Sequence, residues 1–212
     1  SMNAPIFAGA TMVIMPRWDR ALAARLIAHH RITSWSSIPT MMIDFLSDPA
    51  LDEHDLSSLR RLSGGGAAMP EAVAQRLFAR TGLEYIEGYG LTETMAATHS
   101  NPAQRPKRQC LGVPLFNVDA RVIDPDTLGD CAPGTVGEIV IHGPQVFSGY
   151  WRDEAKTRAA FIDIDGRAYL RSGDLGYLDA DGYVFIVDRK KDIIIRGGEN
   201  ISCIEVEQAI YA

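Results

Sequence analysis

The feature that most constrains this chain is a change of pattern near Pro102. Before it, strand and helix signals alternate. After it, short β-branched runs follow one another closely, each bounded by turn residues. The first pattern argues for helices packed on a mostly parallel sheet. The second is that of a small antiparallel barrel or sandwich. The expected fold class is therefore an α/β unit over residues 3–101, then a small antiparallel β-barrel subdomain over 102–188. Residues 189–212 read as the start of a further unit, and the opening Ser1-Met2 as a cloning remnant.

Local chemistry sharpens these boundaries. Residues 10–15 form a short apolar run. Asp19 is an N-cap for a helix in which Leu22, Leu26 and Ile27 recur at helical spacing. Residues 32–38 read as a strand, and Pro39 opens a helix through Leu46. Residues 59–62 lead into Gly64-Gly65-Gly66. Pro70 starts a helix through Arg80, which Gly82 ends. In the second half, runs at 120–123, 138–141 and 183–187 are flanked by Asp124-Pro125, Pro133-Gly134, Gly143-Pro144 and Asp181-Gly182. A last apolar run at 193–195 precedes Gly197-Gly198-Glu199-Asn200, read as a tight turn before a helix at 204–212.

Composition excludes several classes. The 212 residues are 46% hydrophobic and 23% charged, with a formal net charge of −6, ordinary for a soluble globular protein. The basic runs Arg105-Pro106-Lys107-Arg108 and Arg189-Lys190-Lys191 are too short for a nucleic-acid surface, and the first reads as a solvated loop. No apolar run reaches transmembrane length. Cys110, Cys131 and Cys203 make neither a metal pattern nor a disulfide framework, and the five histidines show no zinc spacing. A cytoplasmic protein, or one peripheral to a membrane, is expected.

Chemistry concentrates in glycine-rich segments. Gly88-Tyr89-Gly90-Leu91-Thr92-Glu93-Thr94 follows a strand-like run at 83–86. It offers flexible backbone, an aromatic face, a hydroxyl and a carboxylate, a set that suits a nucleotide with Mg²⁺; it also suits a plain turn between strand and helix. In sheets of this kind, ligands sit beyond the carboxyl ends of strands, where both glycine-rich segments fall. Asp174, in Arg171-Ser172-Gly173-Asp174-Leu175 just before a strand, is either a turn residue or an acceptor for ribose hydroxyls. Asp188-Arg189-Lys190-Lys191-Asp192 is a surface charge run or a hinge carrying a nucleotide-binding arginine.

In this order, the segments resemble the adenylate-forming superfamily of acyl-CoA synthetases, peptide-synthetase adenylation domains and beetle luciferases. The resemblance rests on GYGLTET (88–94), GEIVIHGPQVFSGYW (137–151), SGDLGYLDADGY (172–183) and DRKKDIIIRGGENI (188–201), and spans essentially the whole chain. The wording is closest to bacterial medium- and long-chain fatty-acid–CoA ligases. It implies a two-step reaction: a carboxylate attacks the α-phosphate of ATP to give an acyl-adenylate and pyrophosphate, then the thiol of coenzyme A displaces AMP. By resemblance, Gly66, Ala67, Gly88 and Tyr89 enclose the adenine, with the tyrosine ring stacked on it. Thr92 donates to the α-phosphate and Glu93 binds Mg²⁺. Asp174 and Arg189 hold the ribose. Lys191 falls at the family's hinge and Gly198 at its coenzyme A tunnel. Trp35, Ile38, Met41 and Met95, with Met42, Ala96 and Ala97, fall where the acyl pocket is expected. Fatty acid, ATP and coenzyme A are thus the implied partners.

Two family parts have no counterpart in these residues: the upstream Ser/Thr/Gly-rich phosphate loop and the late lysine of adenylation. The chain is therefore expected to be a fragment without adenylation activity of its own. Apolar faces around Leu22–Ile27 and Met41–Leu46 are expected to be exposed and to promote self-association. An aryl-acid ligase, a peptide-synthetase adenylation domain and a non-catalytic nucleotide-binding scaffold are the alternative readings.

Overall fold

A computed structural model describes residues 3–189, 193–196, 199–203, 206, 209 and 210. Helix α1 (Asn3–Phe7) is followed by an irregular segment and α2 (Arg20–His30). Strand β1 (Ser34–Ser37), helix α3 (Pro39–Leu46), strand β2 (Arg61–Gly64), helix α4 (Glu71–Thr81) and strand β3 (Tyr85–Tyr89) come next. β1, β2 and β3 pair in parallel, as the strand–helix alternation requires. Short strands β4 (His99–Ser100) and β5 (Val113–Pro114) continue the same sheet antiparallel.

The helix signals hold residue by residue. The Asp19 carboxylate accepts the Leu22 N–H at 2.8 Å, so it caps α2. Pro39 occupies the first turn of α3. α4 ends on Gly82 in the left-handed region at φ +70, with its N–H on the Phe78 carbonyl. The faces expected to be exposed are not. Ala23, Ala24 and Ile27 of α2, Met42 and Phe45 of α3, and Leu77 of α4 share one buried core with Leu62. Exposed apolar side chains lie elsewhere, among them Phe7 near the start, Met95, Phe116 and Trp151. The apolar run at 10–15 forms no strand and lines a cleft with residues of β1.

The second half is an antiparallel sheet. Its strands are β6 (Asp119–Ile123), β7 (Gly137–His142), β8 (Phe161–Ile164), β9 (Arg167–Leu178) and β10 (Val184–Arg189), with helix α5 (Glu154–Ala160) between β7 and β8. The order is β10-β9-β7-β6, with β8 hairpinned onto β9. This is an open, curled half-barrel; the expected closed barrel would need β6 to reach β10 (they stand at opposite ends of the order). Ile139, Ile141, Val122 and Val184 form its core with Leu111 and Tyr89. Tyr89 belongs to the first sheet, so its ring seals the join. A backbone pair between Gly112 and Val184 stitches the two sheets as well.

The basic run 105–108 is a largely exposed loop, as expected, but ion pairs anchor it. Arg105 and Lys107 pair with Asp181, Lys107 also with Asp179, and Arg108 with Glu71 and Glu84. It ties α4 and β3 to the β9–β10 turn. Beyond β10, strands β11 (Ile193–Arg196) and β12 (Glu199–Ser202) pair antiparallel. Glu199 and Asn200, expected in a turn, therefore lie in a strand. Lys191 and Gly198, the expected hinge and tunnel residues, lie outside the described residues, as does most of the expected last helix.

Candidate functional site

The triple glycine has a packing reason that sequence alone did not show. A Cβ on Gly64 would stand 1.8 Å from the Ser37 carbonyl oxygen and 1.9 Å from the Tyr85 hydroxyl. The bare backbone leaves room for the Tyr85 hydroxyl to donate to the Ser37 carbonyl at 2.9 Å. A Cβ on Gly65 would stand 2.3 Å from the Gly88 carbonyl oxygen. The ends of β2 and β3 thus touch backbone to backbone, with Gly65 against Gly88. Gly66, at φ +89, turns the chain out into the open, and Ala67 is exposed.

Beyond β3 the chain makes one 3₁₀ turn, Thr92–Thr94. Fully buried Thr94 fixes it: its hydroxyl accepts the Leu91 N–H at 2.9 Å and donates to the Ala96 carbonyl at 2.8 Å. Met95 follows at φ +53. With Thr94 turned inward, Thr92 and Glu93 face a cleft of about 840 Å³. The Phe147 N–H donates to the Glu93 carbonyl at 2.7 Å, and the Tyr150 hydroxyl donates to Glu93 Oε1 at 2.8 Å. The Tyr150 ring is in turn held edge-on by Phe147.

The opposite wall comes from the half-barrel. Between Arg171 and Leu175, β9 bulges against β7: Val140 pairs with Arg171 and Glu138 with Leu175, so three residues face Ile139 alone. Gly173 takes φ +74, and the bulge turns Asp174 inward until it is 1% exposed. Asp174 therefore sits inside a strand, not before one. Its Oδ1 accepts Arg189 Nε at 2.8 Å and its Oδ2 the Tyr89 hydroxyl at 2.5 Å. Burial first, and the Asp174 charge second, push the Tyr89 hydroxyl far above the usual phenol range, so it stays a donor. The ring is 7% exposed, so little of it reaches solvent. A carboxylate offers about four lone-pair directions, which leaves Asp174 acceptor capacity toward the cleft.

The structure therefore gathers Thr92, Glu93, Asp174 and Arg189 along one cleft, with Tyr89 supporting Asp174 from behind. The expected acyl-pocket residues do not share a wall. Trp35 and Met41 line a different cleft of about 830 Å³, where Trp35 stacks on Trp18. Ile38 is half exposed near Gly66, and Met95 is 75% exposed. Sequence reading missed Tyr150, Lys156 and the Arg171–Glu138 pair as cleft residues. Tyr150 lay within a quoted motif, but only tertiary contact reveals its bond to Glu93. A metal fits Glu93 in one sense only. Among the described residues no group of three His, Cys, Asp or Glu forms a cage. One carboxylate with an uncommitted Oε2 suits an ion such as Mg²⁺, which keeps waters and takes substrate phosphates as its other ligands.

The chain matches the AMP-binding enzyme family over residues 1–151. It belongs to that family. A long-chain-fatty-acid–CoA ligase of Bacillus subtilis is 39% identical over 211 residues, 99% of this chain and 37% of the ligase. A feruloyl-CoA synthase of an Amycolatopsis species is also 39% identical, over 96% of this chain and 40% of its own length. The solved ATP-bound MatB of Rhodopseudomonas palustris superposes with a TM-score of 0.89 at 35% identity, over 99% of this chain and 41% of MatB. The chain thus spans about two fifths of the length of the relatives it matches. In this AMP-binding chain the family match contains Thr92 and Glu93, while Asp174 and Arg189 lie beyond its last residue. No helix of the described residues is long and apolar enough to cross a membrane.

Proposed function

We propose that the cleft is the ribose-and-phosphate half of an ATP site in an acid–CoA ligase. The observation that carries this reading is the convergence of Thr92 and Glu93, Asp174, and Arg189 on one cleft from three separate segments. Asp174 accepts the two ribose hydroxyls with the oxygen lone pairs that Tyr89 and Arg189 leave open. Thr92 donates to the α-phosphate. Glu93, oriented by Tyr150, holds Mg²⁺, which neutralises phosphate charge when bound. The adenine lies against the backbone of Gly66, Ala67 and Gly88, with the exposed part of Tyr89 at its edge. Positioning and charge neutralisation are what such chemistry asks of a protein.

For the polypeptide that carries this chain, the reaction is acid, ATP and coenzyme A to acyl-CoA, AMP and pyrophosphate. A fatty acid is the favoured acid: Trp35 and Met41, which line the second cleft, are apolar and offer no partner for a second charge on the substrate, while Ile38 and Met95 do not line it. A hydroxycinnamate-type acid is the second reading, favoured by the equal identity to the feruloyl-CoA synthase. Lys191 and Gly198 serve as hinge and coenzyme A tunnel. The 212 residues alone do not turn over, because nothing among the described residues of the cleft resembles a phosphate loop. The reading is tested by ATP-dependent thioester formation across alkyl acids of increasing length and aryl acids. Thioester with alkyl acids supports it; no AMP from any acid overturns it.

A further inference from the structure

Six ionisable side chains line the cleft: Glu93, Glu138, Lys156, Arg171, Asp174 and Arg189. Four of them cancel in pairs, Arg171 with Glu138 and Arg189 with Asp174. Two charges remain. Glu93 is held by a neutral tyrosine hydroxyl, and Lys156 has no carboxylate within ion-pair distance among the described residues. The contrast with Lys107 is direct, since that lysine is tied to Asp179 and Asp181. Lys156 instead lies over the Tyr150 ring, its ammonium 4.1 Å from the ring centroid. A ring face attracts an ammonium without consuming its hydrogen-bond donors, so all three stay free for an anion.

Contacts place this lysine along the cleft. Tyr89 and Arg189 surround Asp174 at one end. Tyr150 joins Glu93 to Lys156, by its hydroxyl on one side and its ring face on the other. A nucleotide with its ribose on Asp174 and its α-phosphate at Thr92 has its further phosphates in the same cleft that Glu93 and Lys156 line. A metal ion on Glu93 offsets only part of a triphosphate's charge, and a second cation beside it completes the neutralisation. We propose that Lys156 binds the β- and γ-phosphates of a nucleoside triphosphate, so that the cleft prefers a triphosphate to a monophosphate. This inference rests on the nucleotide reading of the cleft.

The test is calorimetric titration of Mg–ATP, AMP and inorganic pyrophosphate with Mg²⁺ into the chain and its Lys156→Ala and Lys156→Arg variants. Lys156→Ala weakens Mg–ATP and pyrophosphate by about tenfold, the loss of one charge-assisted contact, and leaves AMP unchanged. Lys156→Arg retains most of the Mg–ATP affinity. Unchanged AMP binding in the alanine variant doubles as proof that it is folded. Equal loss for AMP and Mg–ATP, or no loss for Mg–ATP, overturns the assignment while the nucleotide reading stands. No binding of either nucleotide to the unmodified chain overturns both.

Discussion

At the scale of single residues, the site depends on polar groups held where they are costly to strip of partners. Asp174 is buried with two donors on it. Tyr89→Phe removes one of them and leaves Arg189, so the expected loss is about 1–3 kcal/mol in urea unfolding. Two other buried groups set an acid response. Burial pulls the His99 imidazole down to about 4 from 6.5. The unfolded chain then binds the extra proton, and stability falls as pH drops from 6.5 toward 4. Burial pushes the Glu87 carboxyl up to about 7 from 4.5, against the Met69 N–H on it at 2.7 Å. Here the folded state keeps the proton, so stability falls as pH rises from 4.5 toward 7. Between those limits the two slopes oppose each other. Glu87→Gln leaves the histidine slope alone, so unfolding free energy should climb with pH between about 4 and 6.5, by at most about 1.4 kcal/mol per unit. A flat profile in that variant contradicts the account. Asp174 and Glu93 were legible in the sequence because their motifs place carboxylates beside glycines. Tyr150 and Lys156 were not, because their roles depend on contacts made only after β7 and α5 pack against the 3₁₀ turn.

At the scale of elements, glycines decide where strands may touch. Gly64→Ala drives a methyl into the Ser37 carbonyl and the Tyr85 hydroxyl, one of them backbone. It should cost about 2–3 kcal/mol in urea unfolding, at the upper end for overpacking. Gly82→Ala meets no atom within 4 Å and suffers only its φ of +70, so about 1 kcal/mol is expected. The reverse ranking would contradict the packing described. Helices α2, α3 and α4 were read almost to the residue, because caps are local: Asp19, Pro39 and Gly82 act on neighbours in sequence; α1 and α5 were not read at all. Strands were read by their β-branched runs but not by their partners. The apolar run at 10–15 failed to become a strand although its composition allowed one, since pairing is decided by what lies alongside. The β9 bulge was invisible for the same reason, although Gly173 marks it.

At the scale of the molecule, two sheets meet at Tyr89, Gly112 and Val184, and the cleft lies where they meet. The change of pattern at Pro102 suggested two parts, but β5 at Val113–Pro114 still belongs to the first sheet, and the curl that stops short of a closed barrel was not legible. On the proposed reading the cleft supplies ribose and phosphate contacts but, among the described residues, no phosphate loop, so pyrophosphate release from ATP and a fatty acid by the 212 residues alone should not rise above background. Turnover comparable to a long-chain-fatty-acid–CoA ligase would contradict that. The central claim, that Asp174 receives a nucleotide's ribose, is tested most directly by calorimetric titration of AMP into the chain and its Asp174→Asn variant. The account predicts measurable binding that weakens about tenfold or more in the variant. Equal AMP affinity in the two proteins would contradict it.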